Sequence, residues 1–198
     1  MNAIANPLDP AHPLPDRSIV IVGMPGAGKS SIGRKLATRL ALPFVDADTE
    51  IEAAAGMSIP QIFEKHGEPA FRQGEKRVIA RLLQRPPLVL ATGGGAFMDA
   101  ETRALIRERA VSVWLRADLA ILAERTARHD NRPMLRGDAP EEVLKRLLAA
   151  REPLYAEADI AVESDTRPPE ETAERVLQAL SDYAKLSGHN AAPADEAP

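Results

Sequence analysis

The sequence contains no cysteine, which excludes disulfide bonds, thiolate metal ligands and a cysteine nucleophile. It also lacks an excess of basic residues. The formal net charge of -4 gives none of the positive footprint of a nucleic-acid-binding protein. No apolar run approaches the length needed to cross a membrane. The N-terminal residues lack the charged start and apolar stretch of a signal peptide, and they are too poor in arginine for a transit peptide. We therefore expect a cytoplasmic enzyme or binding protein without a nucleic-acid or membrane partner.

The remaining composition is that of one soluble globular domain. The chain has 198 residues, of which 44% are hydrophobic and 27% are charged, and this length is sufficient to bury a core. Both ends have the composition of tails. Residues 1–16 contain four prolines, and residues 187–198 are rich in alanine, proline and polar residues. We expect a single domain at 17–186 between two disordered tails at 1–16 and 187–198.

Short apolar runs alternate with amphipathic stretches through this domain. The runs lack alternating polar residues, which is typical of parallel strands that are covered on both faces. The pattern predicts an α/β fold with about five parallel strands. The predicted strands are 18–22, 44–45, 88–91, 111–115 and 160–162. The predicted helices are 29–42, 69–83, 99–109, 118–128, 140–155 and 170–186. An additional helix is expected after the second strand, with a capping box formed by Ser58 and Gln61, and with Gly67 near its end.

The clearest motif lies between the first strand and the first helix. Residues 23–30 fit the pattern G-x-x-x-x-G-K-[ST], in which backbone N–H groups and the start of a helix surround phosphate oxygens. Lys29 would bridge the β- and γ-phosphates, and the Ser30 hydroxyl would bind Mg²⁺. The alternative is a glycine-rich turn without a ligand, but strand, loop and helix follow in the order that phosphate binding requires. The motif predicts a site for a nucleoside triphosphate.

The stretch VDADTEIE at 45–52 places four carboxylates in eight residues, directly after an apolar run. Asp46 and Asp48 are two residues apart where a strand ends, so in an extended chain both side chains project to the same side. That side would be the crevice beyond the carboxyl ends of the strands. Asp46 is the candidate Mg²⁺ partner, which leaves Asp48 for a substrate hydroxyl. Glu50 and Glu52 are expected on a solvated helix face. Helix capping is the alternative for Asp48, and it does not account for Asp46.

Three glycines and three arginines are further candidates for an acceptor site. Gly93, Gly94 and Gly95 follow the third strand. A small acceptor that rests against the backbone there would require glycine, and a flexible turn is the alternative. Arg72, Arg132 and Arg151 stand out by position, although each could also be a solvated surface charge. Arg132 lies in a polar stretch between two predicted helices, which is typical of a mobile lid.

Taken in order, these motifs resemble those of the shikimate kinase family over roughly residues 17–184. The matching segments are GMPGAGKSSIGRKLA, FVDADTEIE, IFEKHGEPAFRQGEK, LATGGGA, RPML and REPLYAEAD. The resemblance implies a P-loop, NMP-kinase-like fold of three layers, α/β/α, with strand order 2-3-1-4-5. It implies an acceptor-binding insertion at about 47–77 and a lid at about 126–139. The implied reaction transfers the γ-phosphoryl of ATP to the 3-hydroxyl of shikimate, in the chorismate route to aromatic amino acids.

The resemblance also implies a role for each candidate residue. Lys29, Asp48 and Arg132 would be catalytic, with Asp48 bound to the substrate diol as the candidate base. ATP would be bound by Gly26, Ala27, Gly28, Lys29, Ser30, Ser31, Arg125 and Arg132, with Arg125 along the adenine. Shikimate would be bound by Asp48, Arg72, Gly93, Gly94, Gly95 and Arg151, with the two arginines on its carboxylate. Mg²⁺ would be held by Ser30 and Asp46. We expect a monomer.

Departures from the family pattern are small. Ser31 replaces a threonine, the lid has Arg-Pro-Met in place of Arg-Pro-Leu, and Gly74 interrupts a helical pattern at a cost of about 1 kcal/mol. The alternatives are a gluconate or nucleoside monophosphate kinase of similar shape, and a non-catalytic binding protein. The triple glycine and the Asp-x-Asp pair argue against a nucleotide acceptor. The presence of Lys29, Asp48 and Arg132 argues against loss of catalysis.

Overall fold

The computed structural model of the chain describes residues 17–127 and 140–189. Five strands lie in this part of the chain: β1 Ser18–Val22, β2 Phe44–Asp46, β3 Val89–Ala91, β4 Ala110–Arg116 and β5 Ile160–Glu163. The α-helices there are α1 Lys29–Leu40, α2 Ala47–Ala55, α3 Ile59–Leu82, α4 Ala100–Arg109, α5 Leu119–Ala127, α6 Pro140–Tyr155 and α7 Pro169–His189, and a short 3₁₀ helix covers Ala96–Met98. None of the helices is both long and apolar enough to cross a bilayer within the described ranges.

The strands form one parallel sheet in the order β2-β3-β1-β4-β5, which confirms the predicted fold. All five residues of β1, at the centre, are buried. The apolar run from Ile19 to Val22 follows from this position, because a central parallel strand is covered by helices on both faces. The core continues from β1 into β3 and β4, with residues such as Val20, Leu90 and Val113 fully buried.

The insertion between β2 and β3 differs in detail from the prediction. The two helices expected there are joined in α3, whose course breaks at Gly67, where the backbone adopts φ 77° and ψ 171°. The predicted capping residues lie at its start, where the Ser58 N–H donates to Gln61 Oε1 at 2.9 Å. Helix α7 continues to His189, three residues into the segment predicted as a tail. The rest of both predicted tails and residues 128–139 of the predicted lid lie outside the described residues.

The sheet topology gathers the sequence motifs at one edge. The loops after β1, β2 and β3 all leave from the carboxyl ends of parallel strands, which lie together at the crevice of an open α/β sheet. Thr92, the first residue after β3, is tied to the end of β1, because its N–H and its hydroxyl both donate to Ile21 O, at 3.2 and 3.1 Å. The glycine segment that follows Thr92 is therefore anchored beside the phosphate-loop motif.

Gly56 and Gly74 have open space around them, so substitutions there test how backbone conformation affects stability. An alanine Cβ at Gly74 or at Gly56 would meet no atom within 4 Å, but Gly56 ends α2 with φ +63° whereas Gly74 lies within α3. We expect Gly74→Ala to raise the free energy of unfolding by about 0.5–1 kcal/mol, because it removes the entropic cost of a helical glycine. Gly56→Ala should lower it by about 1–2 kcal/mol, because an L-residue is strained in the left-handed region. Urea denaturation followed by circular dichroism measures both changes, and equal effects of the two substitutions would contradict this account.

Candidate active site

The phosphate-loop motif has the geometry of a phosphate cradle. Gly26 and Gly28 have φ of 86° and 88°, which turns the loop sharply before α1 begins at Lys29. The Lys29 side chain is buried and folds back over the loop, where Nζ donates to Gly23 O at 2.9 Å and Met24 O at 3.0 Å. The predicted Ala27 is fully buried and does not line the cleft, although Gly26 and Gly28 on either side of it do. The loop and the N-terminus of α1 together form a ready site for an anion.

Ser30 and Asp46 are held together beside this loop. The Ser30 hydroxyl donates to Asp46 Oδ2 at 2.6 Å. Asp46 Oδ1 accepts the Asp48 N–H at 3.0 Å and so caps α2. The capping role that the sequence offered to Asp48 therefore belongs to Asp46. The extended-chain argument for the two aspartates is wrong, because β2 ends at Asp46 and Asp48 lies in the first turn of a helix. Both residues nevertheless line the same cleft.

The donor set at Ser30 and Asp46 fits a magnesium ion. A hydroxyl and a carboxylate are the hard oxygen ligands that Mg²⁺ prefers, and this ion usually keeps several waters and substrate oxygens. Within residues 17–127 and 140–189, no three histidine, cysteine, aspartate or glutamate side chains gather as a metal site. Two protein oxygens beside a phosphate cradle are the arrangement expected for a metal that arrives with a nucleotide.

The nucleotide side of the site is a cleft of about 670 Å³. The P-loop forms its floor, and Arg125 and the segment after β5 form its far wall. Arg125 Nη1 donates to Ser164 Oγ at 3.1 Å, and its Nη2 donates to the carbonyl of Asp165. The sequence predicted Arg125 for this cleft but not residues 164–169, since a short polar loop after a strand carries no distinctive motif. The predicted Arg132 lies outside the described residues.

A second cavity of about 360 Å³ adjoins the cleft. Phe63 and Phe71, with ring centroids 4.7 Å apart, form an apolar wall, and the guanidinium groups of Arg72 and Arg151 line the polar part. Arg72 Nη1 lies 2.7 Å from Glu75 Oε2, and Arg72 Nη2 lies 3.1 Å from Glu68 Oε1. The fold therefore brings together two arginines that sequence spacing left far apart.

Glu75 is a functional candidate that the sequence reasoning missed. Glu75 is only 2% exposed, and its Oε1 atom has no hydrogen-bond partner among the described residues. Burial raises the pKa of its carboxyl, an effect that the neighbouring Arg72 opposes. The signal was its spacing of three residues from Arg72 on a predicted helix, which places both side chains on one face.

The glycine segment lies between the two cavities. A Cβ at Gly93 would lie 2.8 Å from Glu75 Oε1 and 3.0 Å from Asp48 Oδ1, and one at Gly95 would lie 2.5 Å from Arg72 Nη1. Side chains here would push the charged groups away, which is a physical reason for glycine. Asp48, Gly93 and Gly94 line both cavities. A phosphate in the cleft would therefore face an acceptor in the second cavity across these three residues.

Known proteins share this architecture. The family model for shikimate kinase matches residues 25–181. The shikimate kinase of Caulobacter vibrioides (strain NA1000 / CB15N) is 60% identical over 172 residues, which cover 87% of this chain and 86% of that protein. The chain belongs to the shikimate kinase family. The resemblance inferred from its motifs is thereby confirmed.

Two further comparisons agree with this assignment. The shikimate kinase of Bradyrhizobium diazoefficiens (strain JCM 10833 / BCRC 13528 / IAM 13628 / NBRC 14792 / USDA 110) is 57% identical over 183 residues, covering 91% of this chain and 87% of that protein. Among solved structures, the shikimate kinase from Acinetobacter baumannii in complex with shikimate superposes with a TM-score of 0.80. It is 40% identical, and the match covers 89% of this chain and 96% of that one.

The buried Glu75 carboxyl should make stability depend on pH. Because its folded-state pKa is raised from the ordinary value of 4.5, the unfolded chain loses this proton first as pH rises. We therefore expect the free energy of unfolding of the wild type to fall, relative to that of a Glu75→Gln variant, as pH rises above 4.5. The difference should stop changing once the pH exceeds the raised pKa. Urea denaturation of both proteins between pH 4 and pH 8 measures this difference.

Glu68→Gln is the matched control for that experiment. Glu68 bonds the same arginine, but its side chain is 49% exposed, so its removal should produce no comparable trend. A Glu75→Gln variant whose stability runs parallel to that of the wild type across the whole range would contradict the assigned effect of burial.

Proposed function

We propose that this chain is an ATP-dependent shikimate kinase that forms shikimate 3-phosphate and ADP. The observation that carries the proposal is the junction of two cavities at Asp48, Gly93 and Gly94. One cavity holds the phosphate cradle, and the other combines an apolar wall with two arginines. This arrangement suits a small carboxylate with ring hydroxyls, and membership of the family supplies its identity.

The acceptor cavity offers partners for both the carboxylate and the reactive hydroxyl of shikimate. Arg72 and Arg151 would bind the carboxylate, because a planar guanidinium matches the two oxygens of that group. Phe63 and Phe71 would cover the apolar part of the ring. Asp48, at the junction with the nucleotide cleft, would accept a hydrogen bond from the hydroxyl that receives the phosphoryl group. A bound ring would thus present its reactive oxygen to the cleft.

Transfer of the phosphoryl group in such a site depends mainly on positioning and on neutralising charge. Lys29 would contact the β- and γ-phosphates after exchanging its present backbone carbonyl partners for phosphate oxygens. Arg132, by its place in the sequence, would add a second cation. Ser30 and Asp46 would hold Mg²⁺, which when bound neutralises charge on the transferred phosphate. Asp48 would orient the attacking hydroxyl and take its proton late, since a loose transition state needs little early proton abstraction.

A nucleoside monophosphate is a poorer acceptor for this cavity. A phosphate carries more negative charge than a carboxylate, and the buried Glu75 and Asp48 carboxylates lie within the same small space. Like charges at short range in a poorly solvated site are costly. We further propose that the enzyme works as a monomer in the cytoplasm, where its co-substrate ATP is available.

The decisive test is ADP release by the purified protein with ATP and Mg²⁺, in the presence of shikimate, gluconate or AMP. We expect strong stimulation by shikimate and no stimulation by the other two compounds. Equal stimulation by gluconate, or ATP binding without any response to shikimate, would refute the proposed acceptor while leaving the nucleotide site in place.

Asp46→Asn separates the metal role of Asp46 from its capping role. Asparagine caps a helix as well as aspartate does, so α2 should keep its stability. The loss of charge should weaken the interaction with Mg²⁺. We expect the Mg²⁺ concentration for half-maximal rate to rise several-fold, measured by titrating Mg²⁺ at fixed ATP. The control is Asp99→Asn. Asp99 is the N-cap of α4, and it lines neither cavity. An unchanged metal titration in Asp46→Asn would remove Asp46 from the metal site.

A further inference from the structure

Helix α6 directs two side chains, one turn apart, onto a single carbonyl group. Arg151 Nη1 donates to Gly94 O at 3.1 Å, and the Tyr155 hydroxyl donates to the same oxygen. Residues four positions apart lie on the same face of a helix, so both reach the glycine segment from one side. The two donors differ in their relation to the acceptor cavity, because Arg151 lines it and Tyr155 does not.

Tyr155 is held rigidly in the core. The residue has no exposed surface. Its ring stacks with those of Phe97 and Trp114, with centroid distances of 6.3 and 6.0 Å and interplanar angles of 15° and 21°. Burial raises the pKa of its phenol to about 12, so the hydroxyl stays protonated and can donate at any working pH. It supplies a fixed hydrogen bond to a segment that has little stiffness of its own.

The bond to Gly94 O sets the orientation of a peptide group in the acceptor cavity. The Gly94–Gly95 peptide is trans, so the Gly95 N–H points away from the side on which Tyr155 lies. Glycine residues allow many orientations of such a peptide, and an external bond is needed to select one. Among residues 17–127 and 140–189, no protein acceptor takes the N–H of Gly94 or of Gly95. These donors can serve a ligand.

We propose that Tyr155 is a positioning residue for the acceptor. Its hydroxyl holds the Gly94 carbonyl so that the N–H groups of the glycine segment are presented to a hydroxyl oxygen of the acceptor. This inference rests on the proposed function, because it takes shikimate as the ligand. The guanidinium of Arg151 would be shared between Gly94 O and the substrate carboxylate, whereas the Tyr155 hydroxyl serves Gly94 O without lining the cavity. Tyr155 touches no substrate, so its bond persists in the free and the bound enzyme.

The variant Tyr155→Phe removes the hydroxyl and keeps the stacked ring. We expect the KM for shikimate to rise about three- to tenfold, as for the loss of one hydrogen bond. The KM for ATP and kcat should stay within about twofold. Tyr183→Phe is the matched control, because the hydroxyl of Tyr183 lies 3.4 Å from Asp159 Oδ1 and Tyr183 lines neither cavity. It should leave all three constants unchanged.

The outcomes separate this inference from the proposed function. If shikimate does not stimulate ADP release by the wild-type protein, both the proposed function and the ligand named here are wrong. An active wild type, with an unchanged shikimate KM in Tyr155→Phe, would overturn the role of Tyr155 alone. Equal rises in both KM values would also overturn it, because they would indicate a general loss of structure.

A measurement on the wild-type protein does not depend on the folding of any variant. In protein labelled with ¹⁵N-glycine, shikimate without ATP should shift the Gly94 and Gly95 amide signals and slow their exchange with solvent. Gly56, which lines neither cavity, is the internal reference. Exchange at Gly94 and Gly95 that is equally fast with and without shikimate would show that the segment does not bind the acceptor. The positioning role of Tyr155 would then be wrong.

Discussion

The backbone of Gly93–Gly95 is the wall between the nucleotide cleft and the acceptor cavity, and the close approach of charged side chains to it governs the whole site. A Cβ at Gly93 would collide with the carboxylates of Asp48 and Glu75, and one at Gly95 would collide with the guanidinium of Arg72. Asp48 lies on α2, whereas Arg72 and Glu75 lie one turn apart on α3, so two helices of the insertion between β2 and β3 meet at this wall. Without a Cβ on the wall, both carboxylates and the guanidinium can converge, and a phosphate in the cleft can face an acceptor hydroxyl at short range.

This convergence has an electrostatic cost that the site balances locally. Glu75 is buried with one oxygen bound to Arg72 and the other without a protein partner in the described part of the chain. Burying a charge costs free energy unless the charge is paired, so the ion pair with Arg72 offsets the cost of burying Glu75. The same bond fixes the orientation of the Arg72 guanidinium. A site that had to maximise stability would replace this pair with apolar residues. The pair lies at the acceptor cavity, and functional sites are where such departures from the rules of stability are expected.

The sequence predicted the fold and the phosphate loop because the signals for both are local, whereas the roles expected of Arg72 and Arg151 came only from the family resemblance. Unbroken apolar runs marked β1 and β3 as buried parallel strands, and the glycine spacing of residues 23–30 marked the phosphate loop. Glu75, Tyr155 and residues 164–169 were missed for the opposite reason. Their roles arise only when α3, α6 and the segment after β5 pack around the glycine wall, and no local pattern encodes those contacts. The extended-chain argument at Asp46 and Asp48 failed because capping by Asp46 starts a helix immediately after β2.

The division of labour within α6 follows from the same geometry. Arg151 and Tyr155 share one face of the helix and one acceptor atom, but one side chain lines the cavity and the other is sealed in the core. In the proposed function Arg151 would also bind the substrate carboxylate, whereas Tyr155 would serve the backbone alone. Their placement on adjacent turns gives Gly94 O two buried donors, of which only Arg151 lines the cavity. The Tyr155 bond would keep the orientation of the loop when Arg151 binds an acceptor, and the cavity would be preorganised before the acceptor arrives.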